Sequence, residues 1–525
     1  MKLARFVLMA LVFPLLFAEC HYDLNDPGTK PPPDQFFFPS GLVLDPAGQY
    51  LYVSNANYDL HYGSGTIVMV DLERFNAAVD DYRQECDGKP NCTATGMFSK
   101  FCRFDGYDAS IVNCDETAFI LKNQTIGVGN YAGRIRFYDG GVGNRRLFIA
   151  VRGDPSITYV NVGDVSSLTD VSDPATALNC VGNPATLKAL PDYDAVSMTM
   201  THPATCESEF KLQQWFVDGD QFDETQHMNI PNEPFGMELD SGLDALSNPY
   251  AHLLVSHLAG GQVSLIDGTS NPPSVSYVSP AFFIADAAGR HGAFGLAPQT
   301  PGNPSSLWYM TSNLQPTIAT FHVAEVNVIV PNTGIATDQR QVLEGPQFTL
   351  GGVTASTSDE REIVFDPTGN RAFITNASSP SVAVLDTSIT LSAPVRGQPY
   401  NAVTDAPVPV CSEPSHMGVR RTADANGVIR TQLYVVCFTA NQVAVVDPDR
   451  SELLHTIPLS GNPNEIEFSF SNVDDKAPRP SAYPDGTTVR SQAYVADFQE
   501  NAISVIDLSL ANPRVIARIG YPENQ

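Results

Sequence analysis

Seven ionisable residues recur at one kind of place in the chain: Arg134, Arg136, Glu238, Glu362, His416, Glu465 and Glu467. Each lies in a short alternating segment whose other face is apolar, as in Arg134-Ile135-Arg136-Phe137 and Glu465-Ile466-Glu467-Phe468. Carboxylates that converge with an imidazole can hold a divalent cation or pass protons during hydrolysis or elimination. The same carboxylates, facing two guanidiniums, can instead neutralise them and serve only the fold. Glu238, Glu362, His416 and Glu465 are the candidate ligands or acid/base groups. The cation expected there, if any, is calcium or magnesium. Sequence leaves both readings open.

Other chemistry is thinner. His252 and His257 in "HLLVSH" are five apart, so they point to opposite faces of a strand and make no metal pair. No G-x-S-x-G, Walker, H-E-x-x-H or G-x-G-x-x-G element stands in a suitable context, and no C-x-x-C-H haem site is present. "FKLQQWFVDGDQFDETQHMNIPNEPFG" combines Trp215, Phe216 and Phe222 with acidic residues. It reads either as a sugar- or peptide-contacting loop or as aromatics that pack the loop down. Asp218, Asp220 and Asp223 lack the regular spacing and distal glutamate of a calcium loop.

Nine cysteines are present: Cys20, Cys86, Cys92, Cys102, Cys114, Cys180, Cys206, Cys411 and Cys437. The N-terminus "MKLARFVLMALVFPLLFAEC" has a basic start and an apolar run from Phe6 to Ala18, the pattern of an export signal over 1–19. Leu16-Phe17-Ala18-Glu19-Cys20 resembles a bacterial lipoprotein box, with Cys20 as the lipidated residue, although Glu19 departs from the small residue such boxes carry. Ordinary cleavage after Ala18 is the alternative. Setting Cys20 aside leaves eight cysteines, an even number suited to four disulfides in an exported protein. Cys180 with Cys206 and Cys411 with Cys437 are plausible local pairs. Cys86, Cys92, Cys102 and Cys114 allow three arrangements. Their C-x5-C-x9-C-x11-C spacing lacks a zinc knuckle. Residues 20–35 are polar and proline-rich, as a flexible tether would be. The formal charge of −28 repels phosphate backbones and anionic lipid, so nucleic acid is excluded as a partner and the membrane is reached only through a lipid anchor. The sequons at Asn91, Asn123 and Asn376 matter only in a host that glycosylates them.

The elements that must position these residues are repeats. "DPAGQYLYVSN" (45–55) returns as "DPTGNRAFITN" (366–376), each followed by a second alternating strand. The pair recurs with a fixed beat: Leu254 to Asp267, Phe373 to Asp386, Tyr434 to Asp447 and Tyr494 to Asp507 are each thirteen residues apart. Phe148 to Asn161 and Tyr309 to His322 keep the beat without the aspartate. Tyr52 to Asp71 is longer by six because its hairpin loop is expanded. These are seven hairpins. Further strands precede them ("PSGLVLDP", "PFGMELD", "AFGLAP", "EIVFDP") and follow them ("ELLHTIPL", "RVIARIGY"). A lone hairpin cannot bury its apolar face, and circular closure protects the edges of stacked ones. Charged residues make up only 17 % and Gly plus Pro number 78, a composition suited to a turn-rich β protein.

The consensus Pro-x-Gly, Pro-x-Gly-x-x-x-Tyr-Val-x-Asn and Val-x-Val-Ile-Asp resembles the YVTN-type β-propeller repeat of bacterial surface and periplasmic proteins. Residues 39–75, 361–388, 430–459 and 491–521 carry it best, within a span of 36–523. The resemblance implies an all-β, seven-bladed propeller of four-stranded antiparallel blades, a single body over 36–525 with disulfide-bearing inserts at about 76–120 and 165–230. In the innermost strands, aligned on Gly41 and Val43, the charged residues then lean toward a central channel. Blade four is read there as Ala293 and Gly295, with Phe294 and Leu296 in the core. The family includes binding, scaffold and enzyme-associated members. Propeller lactonases and lyases gather Glu, His and metal at the axis, yet no motif here reproduces their ligand set. The expectation is a monomeric, exported binding or scaffold module of the cell envelope, periplasmic, outer-membrane or surface-exposed. Its partner would be an envelope protein or polysaccharide, held by the loops on one face and by the two inserts. The alternative is a propeller hydrolase or lyase with a metal at the axis.

Overall fold

The computed structural model describes residues 28–89, 92–141, 143–163, 178–182, 192–194, 196–197, 199–213, 230–329, 336–350, 358–388, 402–403, 407–423, 428–469 and 490–521. The expected signal segment, Cys20, the sequon Asn91, and the Trp215, Phe216, Phe222 and Asp218, Asp220, Asp223 group lie outside them.

Seven blade sheets follow one another in chain order, each with a core of consecutive antiparallel strands, and strands from the inserts add to the outer edges of some of them. Their innermost strands are Pro39–Leu44, Ala132–Asp139, Pro234–Leu243, Ala293–Pro298, Glu360–Phe365, Pro414–Ala423 and Pro463–Phe468. Contacts between the first and last of these close the circle. The chain is a seven-bladed β-propeller.

The beat residues on the second strands explain the repeat. Tyr52, Phe148, Leu254, Tyr309, Phe373, Tyr434 and Tyr494 are all buried. Apolar clusters lie mainly between neighbouring blades: one joins blades four and five through Tyr309, Ile363 and Ile374, another blades five and six through Phe373, Met417 and Val435. Each blade thus depends on the next for its core.

The residue three further on ends the second strand and, in every blade but the second, where it is Val151, is polar or a cysteine and locks the strand end. Asn55 donates to Thr66, His257 bonds Ser264 at 2.8 Å, Asn376 donates to Glu360, and Asp497 accepts from Ser504 and Ser460. In blade six the lock is covalent, because Cys437 is disulfide-bonded to Cys411. The aspartates closing the third strands accept backbone N–H bonds in the following turn at Asp267, Asp386, Asp447 and Asp507.

In blade one the equivalent Asp71 caps a helix. Its carboxylate accepts from the Arg74 N–H, and Leu72–Cys86 runs on as an amphipathic helix that buries Phe75, Val79 and Tyr82. The "DLERFNAAVDDYRQEC" pattern carries this signal, although the insert reads from its cysteines as a stapled loop. This insert lies on the outer edge of blade seven. Val112–Cys114 pairs in parallel with the last strand, Arg514–Ile519, and Arg518 bonds Asp105 at 2.9 Å. Arg83 donates to the Ile516 carbonyl at 2.8 Å. Blade one thereby clasps the final edge strand, which would otherwise present unpaired backbone groups.

The four disulfides are Cys86–Cys92, Cys102–Cys114, Cys180–Cys206 and Cys411–Cys437. Bonds of this kind form in oxidising compartments. Among the described residues no helix is long and apolar enough to cross a membrane. Residues 28–35, the described part of the expected tether, lie against the propeller: Pro31 and Pro33 are buried, and Lys30 pairs with Asp192 at 2.8 Å.

Candidate site at the channel axis

One irregularity in the inner strands shapes the axis. In every blade their pairing with the second strand shifts register just after the first residue, between Pro39 and Gly41, Ala132 and Ile135, Pro234 and Met237, Ala293 and Leu296, Glu360 and Ile363, Pro414 and His416, and Pro463 and Ile466. Strict alternation would put the second residue of each strand on the same face as Leu42. The bulge re-aims it toward the channel mouth instead. Ser40, Gly133, Phe235, Phe294, Arg361, Ser415 and Asn464 are these residues, and all seven line one cavity of about 320 Å³.

This corrects the alignment of blade four. Leu296 pairs with Met310 as Leu42 pairs with Val53, so the channel-facing positions are Gly295 and Ala297. Phe294, expected in the core, stands at the mouth, where its centroid lies 4.3 Å from that of Phe235.

A second repeated device builds the rim. The carbonyl of the residue just before each inner strand accepts from the first N–H past the second strand: Ala56 to Phe38, Arg152 to Tyr131, Leu258 to Glu233, Asn313 to Gly292, Ala377 to Asp359, Phe438 to Glu413 and Phe498 to Asn462. Six of the seven acceptors have positive φ, including Phe38 at 53° and Tyr131 at 55°. Bulky side chains rarely occupy this left-handed region, and such strain concentrates at functional sites. Tyr131, Arg152, Glu413, Phe438 and Phe498 all reach the cavity from these two positions. Tyr58, from the expanded hairpin loop of blade one, completes the collar, 5.8 Å from Tyr131 and 5.6 Å from Phe498 between centroids. We call this the upper mouth.

Below it lies the charged layer. Arg134 grips both oxygens of Glu362 from across the channel, the longer contact being 3.3 Å. Arg136 donates to Glu238 at 3.0 Å and to Glu465 at 3.3 Å. Glu465 also accepts from the Leu42 N–H at 3.1 Å. His416 Nε2 lies 3.8 Å from Glu362 and 3.7 Å from Glu465, while its Nδ1 is buried without a hydrogen-bond partner. Burial, followed by the two guanidiniums, holds the imidazole well below its ordinary pKa, so it is neutral. Burial pushes Glu362 upward and Glu465 to about 6, against the opposing pull of the arginines.

Glu238, Glu465 and Glu467, with Arg136, line a second cavity of about 330 Å³ on the other side. His416 and Glu465 border both cavities. The seven residues singled out in the sequence thus share one region of the axis, with Glu467 at the lower mouth. Among the described residues, no group of three or more His, Cys, Asp or Glu side chains is arranged to hold a metal ion. The aromatic collar went unseen in the sequence, since its members stand at strand ends and bulges where alternation fails. The six-residue expansion of "NANYDLHYGSG" was the available signal for Tyr58.

Fold and axis together define a seven-bladed propeller whose channel is crossed by an ion-paired layer and opens above it into an aromatic mouth. No protein-family model matches the chain, and no curated protein does. Among solved structures it is similar to two Bacteroides proteins named as 6-phosphogluconolactonases. The B. uniformis protein is 11 % identical over 81 % of this chain and 87 % of its own, with a TM-score of 0.42. The B. fragilis protein is 12 % identical over 81 % and 85 %, with a TM-score of 0.41. Hydrazine synthase of Kuenenia stuttgartiensis is 11 % identical over 93 % and 99 %, with a TM-score of 0.42. Likenesses this distant carry no argument about activity.

Proposed function

We propose that this propeller is an exported binding or scaffold module of the bacterial envelope, lipid-anchored through Cys20, and that its upper mouth is the contact site. The observation that carries this reading is the pairing of the axial charges. An acid/base or metal centre needs carboxylates free to exchange a proton or ligate a cation. Glu362 is instead held by Arg134, and Glu238 and Glu465 by Arg136. The open, strained and aromatic part of the axis lies above them, and aromatic anchors dominate recognition surfaces. The partner would be an envelope protein or polysaccharide. The described part of the first insert, on the outer edge of blade seven, serves ring closure in this reading.

The test is capture from envelope extracts on immobilised protein. Wild type should retain a partner that Tyr58→Ala with Phe498→Ala loses, while melting temperature holds. Equal retention by both proteins would remove the mouth from the function.

A second reading, a hydrolase or lyase with calcium or magnesium, is favoured by one observation. At the lower mouth Glu238, Glu465 and Glu467 outnumber Arg136. Stoichiometric metal by elemental analysis, with turnover lost in Glu362→Gln and His416→Ala, would establish that reading over the first.

A further inference from the structure

The upper mouth has a chemistry specific enough to name a ligand class. Its volume of about 320 Å³ is at the small end for sites that enclose organic molecules, and it admits a ring-sized body rather than a folded element. Two aromatic groups flank it. Tyr58, Tyr131 and Phe498 come from blades one, two and seven, whereas Phe235 and Phe294 come from blades three and four. A flat apolar body between them meets aromatic surface from both sides.

Charge decides what that body carries. The carboxylates that reach the mouth are already engaged: Glu413 by Arg361 at 3.4 Å, and Glu465 by Arg136 and the Leu42 N–H. Arg134 is engaged by Glu362, and Arg361 also by Asp359 at 3.0 Å. Arg152 differs. Its guanidinium lies over the Phe235 ring, 5.3 Å from the centroid, the residue is exposed, and no carboxylate stands at ion-pair distance among the described residues. The unspent charge of the mouth is therefore positive. A cationic ligand would confront Arg152 and find both carboxylates that line the cavity, Glu413 and Glu465, already paired. An anion would gain a charge-assisted hydrogen bond from a side chain that waits over an aromatic wall.

We propose that the upper mouth binds a small organic anion with a flat apolar body, an aromatic carboxylate being the chemical class, an inference that rests on the mouth being the contact site. The ring packs between Tyr58 and Phe498 on one side and Phe235 and Phe294 on the other. The carboxylate takes Arg152.

Isothermal titration of the purified, oxidised protein with three probes that share an indole ring tests this. The probes are indole-3-acetate (anionic), tryptamine (cationic) and 3-methylindole (neutral). Indole-3-acetate should bind with a stoichiometry of one and at least about tenfold more tightly than tryptamine, tenfold being the effect of one well-placed charged contact. Arg152→Gln should remove that preference and leave 3-methylindole binding unchanged, whereas Phe235→Ala should weaken all three. Equal affinity for acid and amine, or an acid affinity indifferent to Arg152→Gln, overturns the anion assignment and leaves the mouth a binding site. Binding of none of the three overturns the anion assignment, whereas the contact-site reading falls only if the Tyr58→Ala, Phe498→Ala protein retains the envelope partner as wild type does.

Discussion

Arg134 on blade two and Glu362 on blade five meet across the central channel, side chains 11 % and 4 % exposed, and tie opposite sides of the propeller through one bidentate pair. A buried pair of this kind contributes little net stability over an apolar filling. Breaking it by removing one partner strands a charge and costs about 3–5 kcal/mol. Arg134→Gln should therefore lower unfolding free energy by about that amount. Arg134→Gln with Glu362→Gln should recover most of it. Denaturant unfolding of the two variants checks this, and a double variant as weak as the single one would mean that the pair does more than satisfy itself.

The clasp on blade seven depends on the Cys102–Cys114 bridge, which lies beside the parallel pairing of Val112–Cys114 with Arg514–Ile519. Replacing both cysteines by serine should cost about 2–4 kcal/mol. The loss should be local first: amide exchange should rise in Arg514–Ile519 before the inner strands of the other blades. Uniform acceleration across all blades would show that the clasp does not guard this edge.

Two polar locks make stability depend on pH. Burial pushes Asp497 up to about 7 from an ordinary 3.8, against its serine bonds, and Glu360 to about 7 from 4.5, against Ser358 and Asn376. Between the ordinary and the raised values the folded state holds protons that the unfolded chain has released. Stability is therefore full below about pH 4, and falls as pH rises to about 7. Melting temperature should drop by on the order of a few degrees between pH 5 and pH 8 from these groups, and Asp497→Asn should flatten that slope. A slope unchanged in that variant would assign the dependence elsewhere.

Close approach between blades fixes small residues at the axis. A Cβ at Gly236 would collide with the Phe294 carbonyl oxygen of the next blade, and one at Gly295 with the Arg361 carbonyl oxygen. Gly236→Ala should destabilise by about 1–3 kcal/mol, as overpacking does. Calorimetry showing a wild-type melting point would mean that the inner strands part more readily than their packing implies.

What the sequence determined by itself is the counted architecture. The thirteen-residue beat from Leu254, Phe373, Tyr434 and Tyr494 marks side chains buried in every blade, and burial is what a hydrophobic pattern records. It also brought Arg134, Arg136, Glu238, Glu362, His416 and Glu465 to one region, because strand alternation carries a face over several residues. The helix Leu72–Cys86 was legible in its apolar spacing, although the neighbouring cysteines drew the reading toward a stapled loop.

Tertiary structure alone decided how these charges pair, since Arg134 and Glu362 are 228 residues apart and meet only when the circle closes. It also decided the mouth. Phe294 alternates like a core residue, and a bulge one position away turns it to the channel. Tyr58, Tyr131 and Phe498 carry no shared motif and converge because their blades surround one axis. Periodicity describes a strand's faces; only closure determines what each face meets.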